Sequence, residues 1–160
     1  MKHILSKTND CELTNVQEGD SQPNAVDLRI NKIFEINKKE PFIISEETKT
    51  HRGSVEVQPD EEGWFNLERG TYEIVMENIV SVGEGYAGYV ITRSTLNRNG
   101  LFITSGLYDS GYHGVMAGCL HVRVGPAKIK KGTRVGQFIL FEGETLSMYD
   151  GSYGIGKQHD

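Results

Sequence analysis

Arg93-Ser94-Thr95-Leu96-Asn97-Arg98-Asn99-Gly100, followed closely by Gly106-Leu107-Tyr108-Asp109-Ser110-Gly111-Tyr112-His113-Gly114, is the window on which the fold turns. Glycines punctuate it so densely that the chain is built to reverse rather than to extend a helix. The segment 94–97 is the one modest helix candidate, with Ser94 placed to cap it and Gly100 to end it after a turn or two.

The same punctuation runs through the rest of the chain. Nineteen glycines against four prolines, with many short apolar runs ended by Gly, Asn or Asp, is the pattern of many strands joined by tight turns, so the fold class is all-β. The expected strands are 25–30, 42–44, 55–57, 71–76, 87–91, 118–124 and 134–141. In 71–76, Tyr72, Ile74 and Met76 recur with the period of two that a half-buried strand requires. The run 137–141 is almost continuously apolar, which suits a strand covered on both faces, in a sandwich core or at a subunit contact. The polar segments 38–40, 46–52 and 59–63 read as surface connections.

At 160 residues the chain is long enough for a single domain with its own core. With 37% hydrophobic and 24% charged residues it is too apolar for disorder. A net charge of −5 with no basic run excludes a long grip on DNA or RNA but leaves a free nucleotide compatible. Cys11 and Cys119 stand far apart with no CxxC partner, so neither a zinc site nor a redox pair is signalled. No signal-peptide-like start and no run of eighteen apolar residues is present, which makes the expected location cytoplasmic, away from any membrane.

Chemistry concentrates in a few residues. Arg93 and Ser94, at the start of a helical turn, offer a guanidinium, a hydroxyl and backbone N–H groups to phosphate oxygens; equally, the triplet is a helix start with an exposed arginine. Asp109 lies between glycine-bounded turns that can hold a carboxylate beside a ligand, or simply form a turn. Tyr112 places a rigid ring near it, and Ile103 and Thr104 can show backbone groups to a base edge. Together the phosphate-binding element and the carboxylate suggest nucleotide triphosphate chemistry. Asp27 opens an apolar strand, as a solvated residue or as an ion pair with Arg29, and Gln137 brings a polar amide to another. The tail from Met148 mixes glycine with Tyr149 and Tyr153, combining mobility with rings that can stack.

In order and spacing these segments resemble the trimeric dUTPase and dCTP deaminase superfamily. The resemblance rests on Ala25-Val26-Asp27-Leu28, on Arg93 to Leu96 (RSxL-like), on Gly106 to Gly114, and on Gly132 to Gln137 (GxRxxQ-like). It implies a distorted, jelly-roll-like β-barrel over 1–147, with at most one short helix and a flexible C-terminal arm over 148–160. It implies a homotrimer whose sites lie between subunits. Asp109 is then the general base that deprotonates a water for in-line attack on the α-phosphorus. Tyr112 packs under the deoxyribose. Arg93, Ser94 and Gln137 contact phosphate; Thr95, Arg98, Ile103, Thr104 and Gly106 complete the substrate-binding set. Asp27 supports Mg²⁺ through water. Tyr153 stacks on the base as the arm closes, and Lys157 reaches the terminal phosphate in place of the arm arginine that this sequence lacks.

Two activities divide that superfamily. Val26-Asp27-Leu28-Arg29, the stretch from Glu68 to Glu73 and Arg98 lean toward deaminases. Cytosine deamination, however, needs a proton-shuttling glutamate on the strand after the third motif. Aligning Asp109, Gly111 and Gly114 puts Cys119 there, with no Glu or Asp within 115–124. The expectation is therefore dUTP hydrolysis to dUMP and pyrophosphate. The alternatives are a dCTP deaminase, mono- or bifunctional, or a non-catalytic nucleotide-binding or regulatory relative.

Overall fold

The computed structural model describes residues 1–157. Its elements, in chain order, are β1 (Glu12–Leu13), β2 (Val26–Ile36), β3 (Ile43–Ile44), β4 (Lys49–Thr50), β5 (Ser54–Glu56), β6 (Trp64–Leu67), β7 (Gly70–Ser81), β8 (Tyr86–Thr92), α1 (Ser94–Asn97), β9 (Leu101–Thr104), β10 (His113–Val122), β11 (Ala127–Lys130) and β12 (Arg134–Glu142). One large sheet runs β8-β12-β2-β7-β10-β9, with β1 on β7 and β5 on β2; β11 pairs with β6, and β3 with β4, in two small two-stranded sheets.

The large sheet curls until its ends meet. Gly88 of β8 and Tyr108, just beyond β9, form a bridge, their backbones exchanging N–H···O bonds of 2.9 and 2.7 Å. The Thr92 hydroxyl takes the Ile103 N–H at 2.8 Å and donates to the Ile103 carbonyl at 3.2 Å. Such contacts occupy backbone groups that an open sheet leaves as edges. The result is a nearly closed, distorted barrel with one short helix.

Alternation builds its core. On β7 Tyr72, Ile74, Met76 and Val80 point inward, and Asn78 keeps the same phase although it is polar and fully buried. Its side-chain oxygen accepts the Arg29 N–H at 3.2 Å and its amide donates to the Thr14 carbonyl at 2.8 Å, so the burial leaves no unmet group. On β2 the inward series Val26, Leu28, Ile30 resumes at Ile33, because a register shift between Ile30 and Lys32 adds one residue and switches the facing parity. β12 buries Phe138 and Leu140 while Ile139 and Phe141 are half-buried on the other face, so the expected two-sided burial is complete on one side only.

A second irregularity prepares the site. Val115 of β10 lies opposite Ile79, but Ala117 lies opposite Val75, so the ladder skips. The Tyr108 hydroxyl enters there, accepting the Ala117 N–H and donating to the Ala117 carbonyl, each at 2.9 Å. Burial pushes the Tyr108 phenol up to about 12, against the opposing pull of its bond to Ala117, so it stays a neutral donor. This ring fixes the chain next to Asp109. Among the described residues no helix is long and apolar enough to cross a membrane.

Candidate active site

The basic part of the site is organised by a buried carboxylate. Val26 and Leu28 point into the barrel, so Asp27 between them points out, yet it is only 1% exposed because other chain segments cover it. Its Oδ1 accepts the Gln137 amide at 2.9 Å; its Oδ2 meets Arg134 Nη1 at 3.3 Å, Arg93 Nε at 3.4 Å and the Gln22 amide at 3.3 Å. Arg93 also donates to the Arg134 carbonyl at 2.9 Å. Two guanidiniums and an amide are thus fixed at the joint of β2, β12 and the end of β8. Each arginine stays partly exposed, free to offer remaining N–H groups to an anion.

That arrangement revises the role expected of Asp27. Among the described residues no three His, Cys, Asp or Glu side chains converge to hold a metal ion. Asp27, the acid expected to assist one, has both oxygens committed to amides and guanidiniums. The described residues of one chain do not by themselves build a resident Mg²⁺ site, and Asp27 anchors the cationic groups. Arg134, whose contribution the sequence reading left unassigned, belongs to this cluster.

Behind the cluster, Asp20 is fully buried and bonded to Arg29 at 2.6 and 3.0 Å, while its backbone carbonyl accepts the Asp27 N–H at 2.8 Å. Burial pushes the Asp20 carboxyl upward. The hydrogen bonds from Arg29 and the Gln17 N–H, with the charges of Arg29 and Arg134, outweigh that push and hold it below the usual carboxylate value.

Next to the cluster, α1 begins at Arg93, whose extended backbone makes it the N-cap; no side chain caps the helix. Ser94 therefore lies inside the first turn rather than at its cap, as the sequence had suggested. Its hydroxyl is left out of the helix's own bonding. Ser94, Thr95 and Arg98 are all exposed on this turn.

The acidic part lies elsewhere. The Asp109 carbonyl accepts the Tyr112 N–H at 3.0 Å, and Gly111 takes a φ of +92°, a turn that presents the Asp109 side chain at the barrel rim. There it lines a cleft of about 480 Å³ with Tyr86, Phe141, Glu144, Tyr149 and Asp150. Three carboxylates and no Lys or Arg appear among the described lining residues. Adjoining it is a second cavity of about 460 Å³, lined by Gly106, Tyr112, Ala117, Gly118, Tyr149 and Tyr153, a size that fits a nucleoside. Tyr112 is a rigid wall of this cavity, packed edge-on against Tyr108 at 4.9 Å and Tyr149 at 5.5 Å, with its hydroxyl donating to the Val115 carbonyl at 2.6 Å.

The described part of the tail closes over this cavity in the same chain. The Tyr149 N–H donates to the Ser110 carbonyl at 2.7 Å and the Ile155 N–H to the His113 carbonyl at 2.9 Å. Tyr153 lines the cavity. Lys157 pairs with Asp150 at 3.3 Å, within the tail itself. Residues 158–160 of the expected arm lie outside the described residues.

Two base-contacting expectations also change. The Ile103 N–H and carbonyl both go to the Thr92 hydroxyl, and Thr104 is laddered opposite Cys119. Closing the barrel uses the backbone that the sequence reading had left for a base. Gly106 remains at the cavity. Glu73, which the sequence reading passed over, also lines it.

Within one chain the two halves stay apart. Asp109 borders the Tyr86–Ala87 end of β8, whereas Arg93 follows its other end. At about 3.3 Å per residue, that strand separates them by roughly 20 Å.

Known proteins place this arrangement. A family model described as dCTP deaminase-like matches residues 2–143. A Halobacterium salinarum protein named probable deoxyuridine 5′-triphosphate nucleotidohydrolase is 33% identical over 143 residues, covering 86% of this chain and 85% of that protein. A Methanocaldococcus jannaschii protein named deoxyuridine 5′-triphosphate nucleotidohydrolase is 28% identical over 141 residues, covering 87% and 90%. Among solved structures, the 2′-deoxycytidine 5′-triphosphate deaminase of Agrobacterium tumefaciens superposes with a TM-score of 0.64 at 16% identity, covering 83% of this chain and 44% of that one. This chain therefore spans less than half of that deaminase's length. A mutant dUTPase from phage phi11 of S. aureus, described as coordinating a structural Mg(II) ion, gives 0.53 at 14% identity, covering 92% and 100%. A nearly closed β-barrel with the RSxL-like turn, the Asp109 turn and a family match over residues 2–143 is sufficient: the chain belongs to the dCTP deaminase-like family.

Proposed function

We propose that this protein is a dUTP diphosphatase that hydrolyses dUTP to dUMP and pyrophosphate, working as a homotrimer on the cytoplasmic nucleotide pool. The observation that carries this is Asp109 in a cleft that adjoins a nucleoside-sized cavity walled by Tyr112 and Tyr153. The relatives named as dUTP nucleotidohydrolases support the substrate. Cys119 at the position where deamination needs an acid supports hydrolysis over deamination.

In this reading Asp109 accepts a proton from a water that attacks the α-phosphorus in line, and pyrophosphate departs opposite the attacking oxygen. Negative charge grows on the phosphates, and the cleft around Asp109 is already acidic, so cations must be brought to it. Arg93 and Arg134, held ready by Asp27, supply them from a neighbouring protomer, with Gln137 beside them and Ser94, Thr95 and Arg98 on the adjoining turn. The outward apolar row of exposed Tyr89 with half-buried Ile139 and Phe141 supports contact between copies. Mg²⁺ arrives with the substrate as the magnesium complex of the triphosphate. The braced Tyr112 ring leaves no space for a 2′-hydroxyl, which favours deoxynucleotides. Tyr153 stacks on the base, and closure of the arm from 148 onward excludes bulk water.

Incubation with dUTP, dCTP and UTP in the presence of Mg²⁺, with products separated by chromatography, tests the assignment. Pyrophosphate and dUMP from dUTP alone are expected. Asp109→Asn should lower turnover by about 10²-fold or more. Ammonia from dCTP, or undiminished hydrolysis by the variant, would defeat it.

A further inference from the structure

We infer that Tyr149 is the positioning residue of the tail: anchored on the barrel, it sets through its hydroxyl where the Tyr153 ring meets the base. The inference rests on the dUTP reading above and deepens it. Tyr149 is held at three points. Its N–H donates to the Ser110 carbonyl at 2.7 Å, one residue beyond Asp109. Its ring packs edge-on against Tyr112 at 5.5 Å, and Tyr112 packs the same way on buried Tyr108 at 4.9 Å, so three rings run from the core out to the tail. Its hydroxyl accepts the Tyr153 N–H at 3.0 Å. The tail can fold back over that hydroxyl because residue 151 is a glycine: a Cβ there would collide with the Tyr149 oxygen.

The two tail tyrosines differ in footing. Tyr149 is half-buried and packs against the hydrophobic core, whereas Tyr153 is 44% exposed. Ordering a mobile chain around a ligand costs binding energy, so a stacking ring whose backbone is already tethered binds more tightly than a loose one. The tether here is the Tyr149 hydroxyl. Its place matters as much as its bond. Among the described lining residues, Leu107 and Tyr149 are the two that border both the Asp109 cleft and the cavity walled by Tyr112 and Tyr153. A deoxynucleotide with its base beside Tyr153 and its α-phosphorus beside Asp109 crosses this boundary. Sliding the base under an untethered ring therefore moves the phosphorus against Asp109, and a misplacement of about 1 Å is enough to slow the chemistry. One residue thus ties the seat of the base to the reaction centre.

A double-mutant cycle read by binding of non-hydrolysable α,β-imido analogues of dUTP and dCTP tests this without requiring turnover. Tyr149→Phe keeps the ring and loses the acceptor, so the dissociation constant for the dUTP analogue should rise about 3- to 10-fold. In a Tyr153→Ala background the backbone bond can still form but no ring is left to place, and Tyr149→Phe should then change nothing further. A residue that only stabilised the barrel would cost the same in both backgrounds. In the ligand-free protein, chymotryptic cleavage after Tyr153, followed by mass spectrometry, should quicken about threefold or more in Tyr149→Phe, with the unfolding temperature unchanged. Equal losses in the two backgrounds, no loss in either, or unaltered cleavage overturns the inference. So does failure of both analogues to bind. The same coupling measured with the dCTP analogue, in a protein that hydrolyses no dUTP, would instead overturn the diphosphatase reading and leave this one standing.

Discussion

Asp27 and Gln137 face each other across the β2–β12 ladder, with the Gln137 amide donating to Asp27 Oδ1 at 2.9 Å, and the other Asp27 oxygen holds both Arg93 and Arg134. A carboxylate with almost no contact with solvent thus decides where two exposed-tipped cations point. Losing its charge should affect stability and ligand binding together. Asp27→Asn leaves two guanidiniums without their counter-charge. It should cost about 2 kcal/mol in urea unfolding and weaken nucleotide binding in parallel. Unchanged stability would mean that the arginines are positioned by something else.

Acid should reveal the second buried carboxylate. Asp20 has a folded value held below the usual one, so its contribution to stability is fully present above the unfolded value and is lost as pH falls through the folded value. The melting temperature should therefore drop as pH goes below about 4. Asp20→Asn should start lower and show a flatter acid limb. A variant whose acid limb kept the original slope would remove Asp20 from the account.

Gly154 lies so close to the barrel that an added Cβ would sit 2.6 Å from the His113 carbonyl, and its φ of +111° is one that L side chains rarely adopt. Gly154→Ala should lift the tail off while leaving the barrel's unfolding temperature almost unchanged. Limited proteolysis should then cut the segment beyond 148 faster, and turnover should fall about tenfold. Full activity with a released tail would show that closure is dispensable.

The separation of Asp109 from Arg93 makes a mixing experiment decisive for the shared site. Asp109→Asn and Arg93→Ala homo-oligomers should each be nearly inactive. Co-expression of the two chains should restore roughly a quarter of normal turnover, the fraction of sites that draw an intact residue from each of two copies. No recovery would indicate that every site is built within one chain.

Much of the barrel was legible because its long strands carry clear alternation. Tyr72, Ile74 and Met76 announced β7, and the apolar run around Phe138 announced β12. The expected strand ends at Met76, whereas β7 runs on to Ser81. Asn78 is tolerated only because Arg29 and Thr14, remote in sequence, satisfy it. β1, β4, β6 and β11 are too short to show a period and exist because a partner strand pairs with them.

At the site, Asp109, Tyr112 and Tyr153 were readable from motif spacing, and the structure gathers them at adjoining cavities. Asp27 was found but given the wrong neighbours: its Arg134 and Gln137 contacts depend on strand register, which no local spacing encodes. Ile103 was lost to Thr92 for the same reason. Glu73 was missed because adjacency across strands, unlike adjacency along one, is invisible until the sheet is assembled.

The long span of β8 between acid and cations has a biological consequence. In the proposed homotrimer, a newly made chain that has not yet met its copies should hold an incomplete reaction centre and leave nucleotides untouched. Output per molecule should therefore fall on dilution, steeper than in proportion to protein concentration. Under the proposed shared site, subunit association would be the on-switch of the enzyme, and a surface competitor able to keep copies apart would silence it without entering the cavity.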